Sequence, residues 1–127
     1  MFKRMFPELQ VSDCEAAATF FEDALGFQRG YTLMEEGHLD FVVMEHPEAK
    51  LQLFLHQMMP ASESDKPRYV RLYFEPHDIE TLCRTLREKG YEVSSPEATE
   101  YGAVEAQLTG PEGYVIWFQQ WQPVGVA

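Results

Sequence analysis

An α+β fold made of two copies of one βαβββ unit is predicted by three features of this sequence. The apolar period switches repeatedly between that of a helix and that of a strand, the order strand, helix, three strands occurs twice, and one half of the chain slides onto the other. A slide of 65 residues puts Asp13 on Asp78, and a slide of 64 puts Gly26-Phe27 on Gly90-Tyr91 and Pro47-Glu48 on Pro111-Glu112. The 127 residues give room for one compact domain of two small modules, and 45% hydrophobic with 13% aromatic content excludes a disordered tail.

Each element follows from local pattern. Glu8 to Val11 alternates as a strand, and Ser12-Asp13-Cys14-Glu15 has capping-box spacing with Ser12 as the N-cap. The helix then runs over 13–25, carrying Cys14, Ala17, Ala18, Phe21 and Leu25 on one face and closed by Gly26. Phe27 to Met34, His38 to Glu45 and Lys50 to His56 follow as strands. A polar stretch with Pro60 and Pro67 separates module one (1–57) from module two (68–127), with the linker at 58–67. Tyr69 to Glu75 opens the second copy. Asp78 caps a helix over 78–89 with Ile79, Leu82, Cys83 and Leu86 on its apolar face and Gly90 behind it. Tyr91 to Ser94, Val104 to Thr109 and Tyr114 to Gln119 complete it.

Composition excludes several classes of partner. Ten Lys+Arg against 21 Asp+Glu leave a net charge of −11, a field that repels phosphate backbones and anionic lipid and attracts cations. No nucleic acid or membrane partner is expected, and no run approaches the roughly 18 apolar residues of a membrane helix. The opening Met1 to Glu8 has Lys3 and Arg4 without an apolar stretch behind them, so a cytoplasmic location is expected rather than secretion. Cys14 and Cys83 lie on apolar helix faces and read as buried free thiols. There is no Gly-rich phosphate loop, nucleophile elbow or Cys-x-x-Cys. His38, His46, His56 and His77 fall on separate segments without the spacing that pairs two imidazoles on a helix, and His46 and His77, beside prolines, read as loop residues. His56 shares the alternation of Gln52 and Phe54 and faces their side, or else lies at a surface or interface.

Leu9-Gln10-Val11-Ser12-Asp13, Phe20-Phe21 followed by Leu25-Gly26-Phe27, Phe74-Glu75-Pro76-His77-Asp78 and the late Gly110-Pro111-Glu112-Gly113-Tyr114 stand in this order along the chain. Together, from about Phe6 to Gln119, they make the chain resemble the vicinal-oxygen-chelate superfamily, which includes glyoxalase I, extradiol dioxygenases, fosfomycin-resistance transferases and bleomycin-resistance proteins. The resemblance implies paired βαβββ modules whose mixed sheets curl around a cleft, helices outside, usually as a homodimer. It also implies a divalent metal held by residues of four strands. Carried over residue by residue, those positions are Phe6, seven before Asp13; Arg71, seven before Asp78; Trp117, four after Gly113; and, by register, Gln52. The slide of 65 places Phe6 on Arg71 and Gln52 on Trp117. Phe, Arg and Trp offer no lone pair suited to such an ion, so only Gln52 could ligate and no metal or other cofactor is expected. The pattern is similar to the metal-free, bleomycin-resistance-like branch.

Strand alternation supplies the expected ligand-binding lining. Val70, Leu72 and Phe74 turned to helix two leave Tyr69, Arg71, Tyr73 and Glu75 on the other face, and Leu9 and Val11 turned to helix one leave Phe6, Glu8 and Gln10. Gln52, Phe54 and His56, with Trp117, Gln119 and Trp121, join them, as do Asp40 and Glu105, which sit 65 apart. This aromatic and acidic wall with a central cation suits a planar or cationic molecule. Two alternatives stay open: Trp117 and Trp121 fill a core or a dimer interface, and Arg71 serves as an ion-pair partner of Glu8, Glu75 or Glu105. The expected function is sequestration of an aromatic or cationic compound. Its alternative is a glyoxalase- or dioxygenase-like enzyme with atypical or no metal, Tyr69, Tyr73 or His56 acting as acid or base.

Overall fold

A computed structural model describes residues 1–122, in two compact units, Met1–Lys66 and from Pro67 onward; the stretch 123–127 assigned above to module two lies outside the described residues. In unit one, β1 (Glu8–Gln10), α1 (Cys14–Leu25), β2 (Gln28–Glu35), β3 (His38–His46) and β4 (Leu51–His56) make a four-stranded sheet of order β1-β4-β3-β2. In unit two, β5 (Arg71–Phe74), α2 (Ile79–Glu88), β6 (Glu97–Ala98), β7 (Ala103–Thr109) and β8 (Val115–Trp121) repeat it as β5-β8-β7-β6. Both sheets are mixed, with β1 parallel to β4 and β5 parallel to β8 and the remaining pairs antiparallel. This is the α+β architecture of two βαβββ modules that the periodicity predicts.

The helices form where an aspartate meets a stripe of small or apolar residues. Asp13, not Ser12, is the N-cap of α1: its backbone is extended (φ −133°, ψ 91°) and its carboxylate accepts from the Ala16 amide at 3.0 Å. The capping-box reading is therefore off by one residue, because the aspartate next to the first helical turn reaches the orphan amides first. Asp78 caps α2 in the same way, accepting from the Thr81 amide at 3.1 Å. Both helix starts gain a second acceptor from the end of their unit's last strand, Gln57 just past β4 and Gln120 within β8. The Gln57 side-chain carbonyl accepts from the Cys14 amide at 3.0 Å, and that of Gln120 from the Ile79 amide at 2.7 Å. Gly26 closes α1 at φ 74°, a conformation that costs other residues strain.

Each helix covers one face of its own sheet. In unit one Leu9, Val11, Phe21, Val42, Met44 and Leu55 are fully buried, and Phe21 meets Phe27 edge to face at 5.4 Å. In unit two Leu86, Leu108, Ile116 and Phe118 do the same work. Cys14 and Cys83 are buried and free, and burial pushes the Cys14 thiol up to about 11, with Asp40 adding to the shift. Val70 departs from expectation: it precedes β5 and is 48% exposed, because β5 starts only at Arg71. His46 is not a loop residue but ends β3, its Nε2 2.9 Å from the Leu25 carbonyl and its Nδ1 accepting from the Ala49 amide at 3.0 Å.

Strand pairing gives the repeat a register that differs from a uniform slide of 65. Leu9 and Phe74 correspond at 65, yet their partners Leu55 and Phe118 correspond at 63, as do the cap-accepting Gln57 and Gln120. Two single-residue losses account for this. One lies between the Asp78 cap and Gly90, and the other lies in the β7–β8 turn, which is tighter than the β3–β4 turn. Between them the slide is 64, pairing Arg29 with Val93 and Met44 with Leu108. Tyr91 to Ser94 is accordingly not a strand: the counterpart of β2 is reduced to the single bridge Val93–Leu108 and the two residues of β6. Pro96, which has no amide hydrogen to give to a ladder, stands between these two pieces.

Candidate functional site

The sheet face turned away from each helix carries the chemistry. In unit one the burial of β4 alternates so that Leu53 and Leu55 go under α1 while Gln52, Phe54 and His56 face the other way, half-buried. Phe6 stacks on Phe54 with ring centroids at 5.2 Å, Phe54 meets Phe41 at 5.3 Å, and Phe41 meets the His56 ring edge to face at 5.3 Å. This makes a ladder of four rings. At its far end Glu8 Oε1 lies 3.2 Å from His56 Nδ1, and Asp40 Oδ2 lies 3.6 Å from Nε2. Asp40 reaches His56 because it is the extra residue of a β-bulge: Leu33 pairs with Phe41 and Met34 with Leu39, leaving Asp40 unmatched across from β2. Gln52 stands apart, its amide donating to Glu45 at 2.9 Å.

In unit two Arg71 lies over Trp117, its guanidinium carbon 5.3 Å from the ring centroid, and Tyr73 stacks on the same indole at 5.8 Å. Arg71 makes no ion pair among the described residues, so cation–π contact rather than a carboxylate holds it. Trp117 Nε1 is buried and has no hydrogen-bond partner among the described residues. Gln119 donates to Glu105 at 2.6 Å, and the Tyr101 hydroxyl, whose pKa is raised by its hydrogen bond to the same carboxylate, sits on a ring 5.9 Å from Trp121. Glu75 accepts from the Trp121 backbone amide at 3.1 Å. Tyr69 is 96% exposed and takes no part in this cluster.

The observed register changes which residues correspond. Phe6 maps on Arg71, Glu8 on Tyr73, Phe41 on Glu105, Phe54 on Trp117 and His56 on Gln119. Gln52 therefore maps on Val115, not on Trp117, and Phe54 takes the fourth metal position that the resemblance implies. Asp40 is likewise not the partner of Glu105. Phe41 is, and it was passed over in the sequence, although the slide of 64 that aligns the two Pro-Glu turns also carries Phe41 onto Glu105.

Neither unit's pair of corresponding positions fits a divalent metal. Phe6 and Phe54 present stacked rings in unit one, and Arg71 and Trp117 present a fixed positive charge over an indole in unit two, with no lone pair for an ion in either. Among the described residues no group of three or more His, Cys, Asp or Glu side chains could hold a metal.

A family model described as the Glyoxalase/Bleomycin resistance protein/Dioxygenase superfamily matches residues 5–118, and the chain belongs to that superfamily. Among solved structures, TnmS3, an antibiotic binding protein from Streptomyces sp. CB03234, is similar at 24% identity and a TM-score of 0.76, over 96% of this chain and 98% of that one. A glyoxalase/bleomycin resistance protein from the same organism is 25% identical with a TM-score of 0.66, over 91% and 97% of the two chains. The bleomycin resistance determinant encoded on the transposon Tn5 is 18% identical with a TM-score of 0.70, over 96% and 100%. No curated protein matches the chain. No helix among the described residues is long and apolar enough to cross a membrane.

Proposed function

We propose that this chain is a metal-independent binding protein of the bleomycin-resistance kind that sequesters an aromatic or cationic small molecule. The observation that carries this reading is the replacement of the four metal positions by Phe6, Phe54, Arg71 and Trp117. Clustered rings of this kind suit a planar guest, and each stack or cation–π contact made with one contributes about 0.5–2 kcal/mol. Glu8, Asp40, Glu75 and Glu105 around the rings and the net charge of −11 favour cationic guests. Similar folds described as an antibiotic binding protein and as a bleomycin resistance determinant support the same reading. The working form proposed here is a cytoplasmic homodimer, which light scattering tests by returning twice the mass of one chain.

The experiment is titration of tryptophan fluorescence with a panel of glycopeptide and planar cationic drugs. Saturable quenching by a member of the panel, lost in Trp117→Ala, is expected; no quenching across the panel, or full affinity in Trp117→Ala, overturns the reading. One observation favours a second reading. Glu8 holds the His56 imidazole by Nδ1, as a carboxylate holds a general base. Mass spectrometry of the recovered ligand separates the two, since a binding protein returns it unchanged and an enzyme returns product, lost in His56→Ala.

A further inference from the structure

Unit one holds a pocket of about 420 Å³ where the β3–β4 turn meets the segment before β1, within the size range of small-molecule sites. It is lined by Arg4, Phe6, Glu45, His46, Lys50 and Gln52 among others, and shares with the ring faces only the Phe6 end of the ladder and Gln52. We propose that it is a separate site for a planar organic carboxylate, a ligand of the opposite charge to the one favoured above.

Three features of the pocket support this. The Arg4 guanidinium carbon lies over the Phe6 ring, 5.2 Å from its centroid, within cation–π range. A guanidinium held there keeps N–H donors able to form two parallel bonds to a carboxylate. Lys50 supplies a second positive charge, and neither cation is in an ion pair among the described residues. The one carboxylate of the wall, Glu45, accepts from the Gln52 amide at 2.9 Å and lies against Gly30, where a Cβ would come within 3.0 Å of its Oε1. Lys50 also sits at φ 53°, a left-handed conformation in which an L-residue is strained by about 1–2 kcal/mol. A glycine would relieve that strain, so a lysine there at the rim of a pocket points to use of its charge. His46 is a wall and not a ligand-binding group: both ring nitrogens are engaged, and its bond to the Ala49 amide holds the turn that presents Lys50.

Isothermal calorimetry with naphthoate, and with naphthylmethanol as its uncharged counterpart, tests the site on the full chain. Naphthoate is expected to bind saturably, more weakly as salt rises, and about tenfold more weakly in Arg4→Gln and in Lys50→Gly, the loss of one charge-assisted contact. Lys50→Gly is expected to keep or raise the melting temperature, which separates lost charge from lost structure. Trp117→Ala is expected to leave naphthoate binding unchanged, so failure of the ring-face reading does not decide this one. Equal affinity for naphthylmethanol, unchanged naphthoate affinity in both pocket variants, or no saturable binding at millimolar naphthoate overturns the proposal.

Discussion

The two units share a scaffold and differ on the face that scaffold presents. Under the helices, equivalent positions keep equivalent roles: Asp13 and Asp78 cap, Gln57 and Gln120 receive the first helical amide, Phe21 and Leu86 fill the centre. On the opposite face nothing is shared. A phenylalanine stack in one unit is an arginine on a tryptophan in the other, and the Phe41–His56 ring contact becomes the Glu105–Gln119 hydrogen bond. The edges differ too, since β2 is a continuous strand of 8 residues while its counterpart is a bridge and a strand of 2. Divergence is greatest on the face that no helix covers and at the sheet edge, while packing holds the positions under the helices to apolar residues.

The strongest way to break this equivalence lies in the helix seats. Phe21→Ala is expected to cost about 3–5 kcal/mol and Leu86→Ala about 2–5 kcal/mol in urea denaturation, because each leaves a cavity in a closed core. A loss under about 1 kcal/mol at either position would show that its unit lacks a rigid core of the kind described. A finer test uses the amides that set the register at 63. Gln57→Leu and Gln120→Leu are each expected to cost about 1–3 kcal/mol, since each strips a partly buried helix amide of its acceptor. A cost in one unit only would mean that the two glutamines are not equivalent.

The scaffold was legible because its signals are local. Aspartate caps, left-handed glycines and the change of apolar period need only neighbouring residues, so the strands other than the β2 counterpart and both helices fall within a few residues of their sequence positions. What failed was register. A uniform slide assumes that both halves have kept every residue; the change from 65 to 64 before Gly90 is written in the sequence, but the further loss in the β7–β8 turn is invisible until the parallel pairs are seen. That error moved the fourth metal position onto Gln52 and away from Phe54. Asp40 joins the same wall as His56 in the sequence, but through a pairing with Glu105 that the observed register does not keep; what places it beside His56 is one unmatched residue of β3 that re-aims its side chain.

The smallest expected effect comes from a charge cluster that unit one has and unit two lacks. Arg29 donates to both oxygens of Glu15 at 2.8 Å and to Glu22 at 3.0 Å, tying β2 to α1, whereas its counterpart Val93 carries no charge. Those hydrogen bonds hold the Glu15 carboxyl below its ordinary value of 4.5. A carboxyl depressed in the folded state contributes stability that is complete above its unfolded pKa and disappears as pH falls through the folded one. Wild type is therefore expected to exceed Glu15→Gln in urea stability at pH 7, and the gap should close as the medium is acidified below 4.5. The Glu15 side chain is 62% exposed, so screening keeps the gap to about 0.2–1 kcal/mol, and added salt should shrink it further. Arg29→Val, which gives β2 the residue found at the matching place in unit two, should abolish the dependence on residue 15 altogether. A gap that survives that substitution would assign the stabilisation to the start of α1, where an acidic side chain favours the helix dipole, and not to the link between helix and strand.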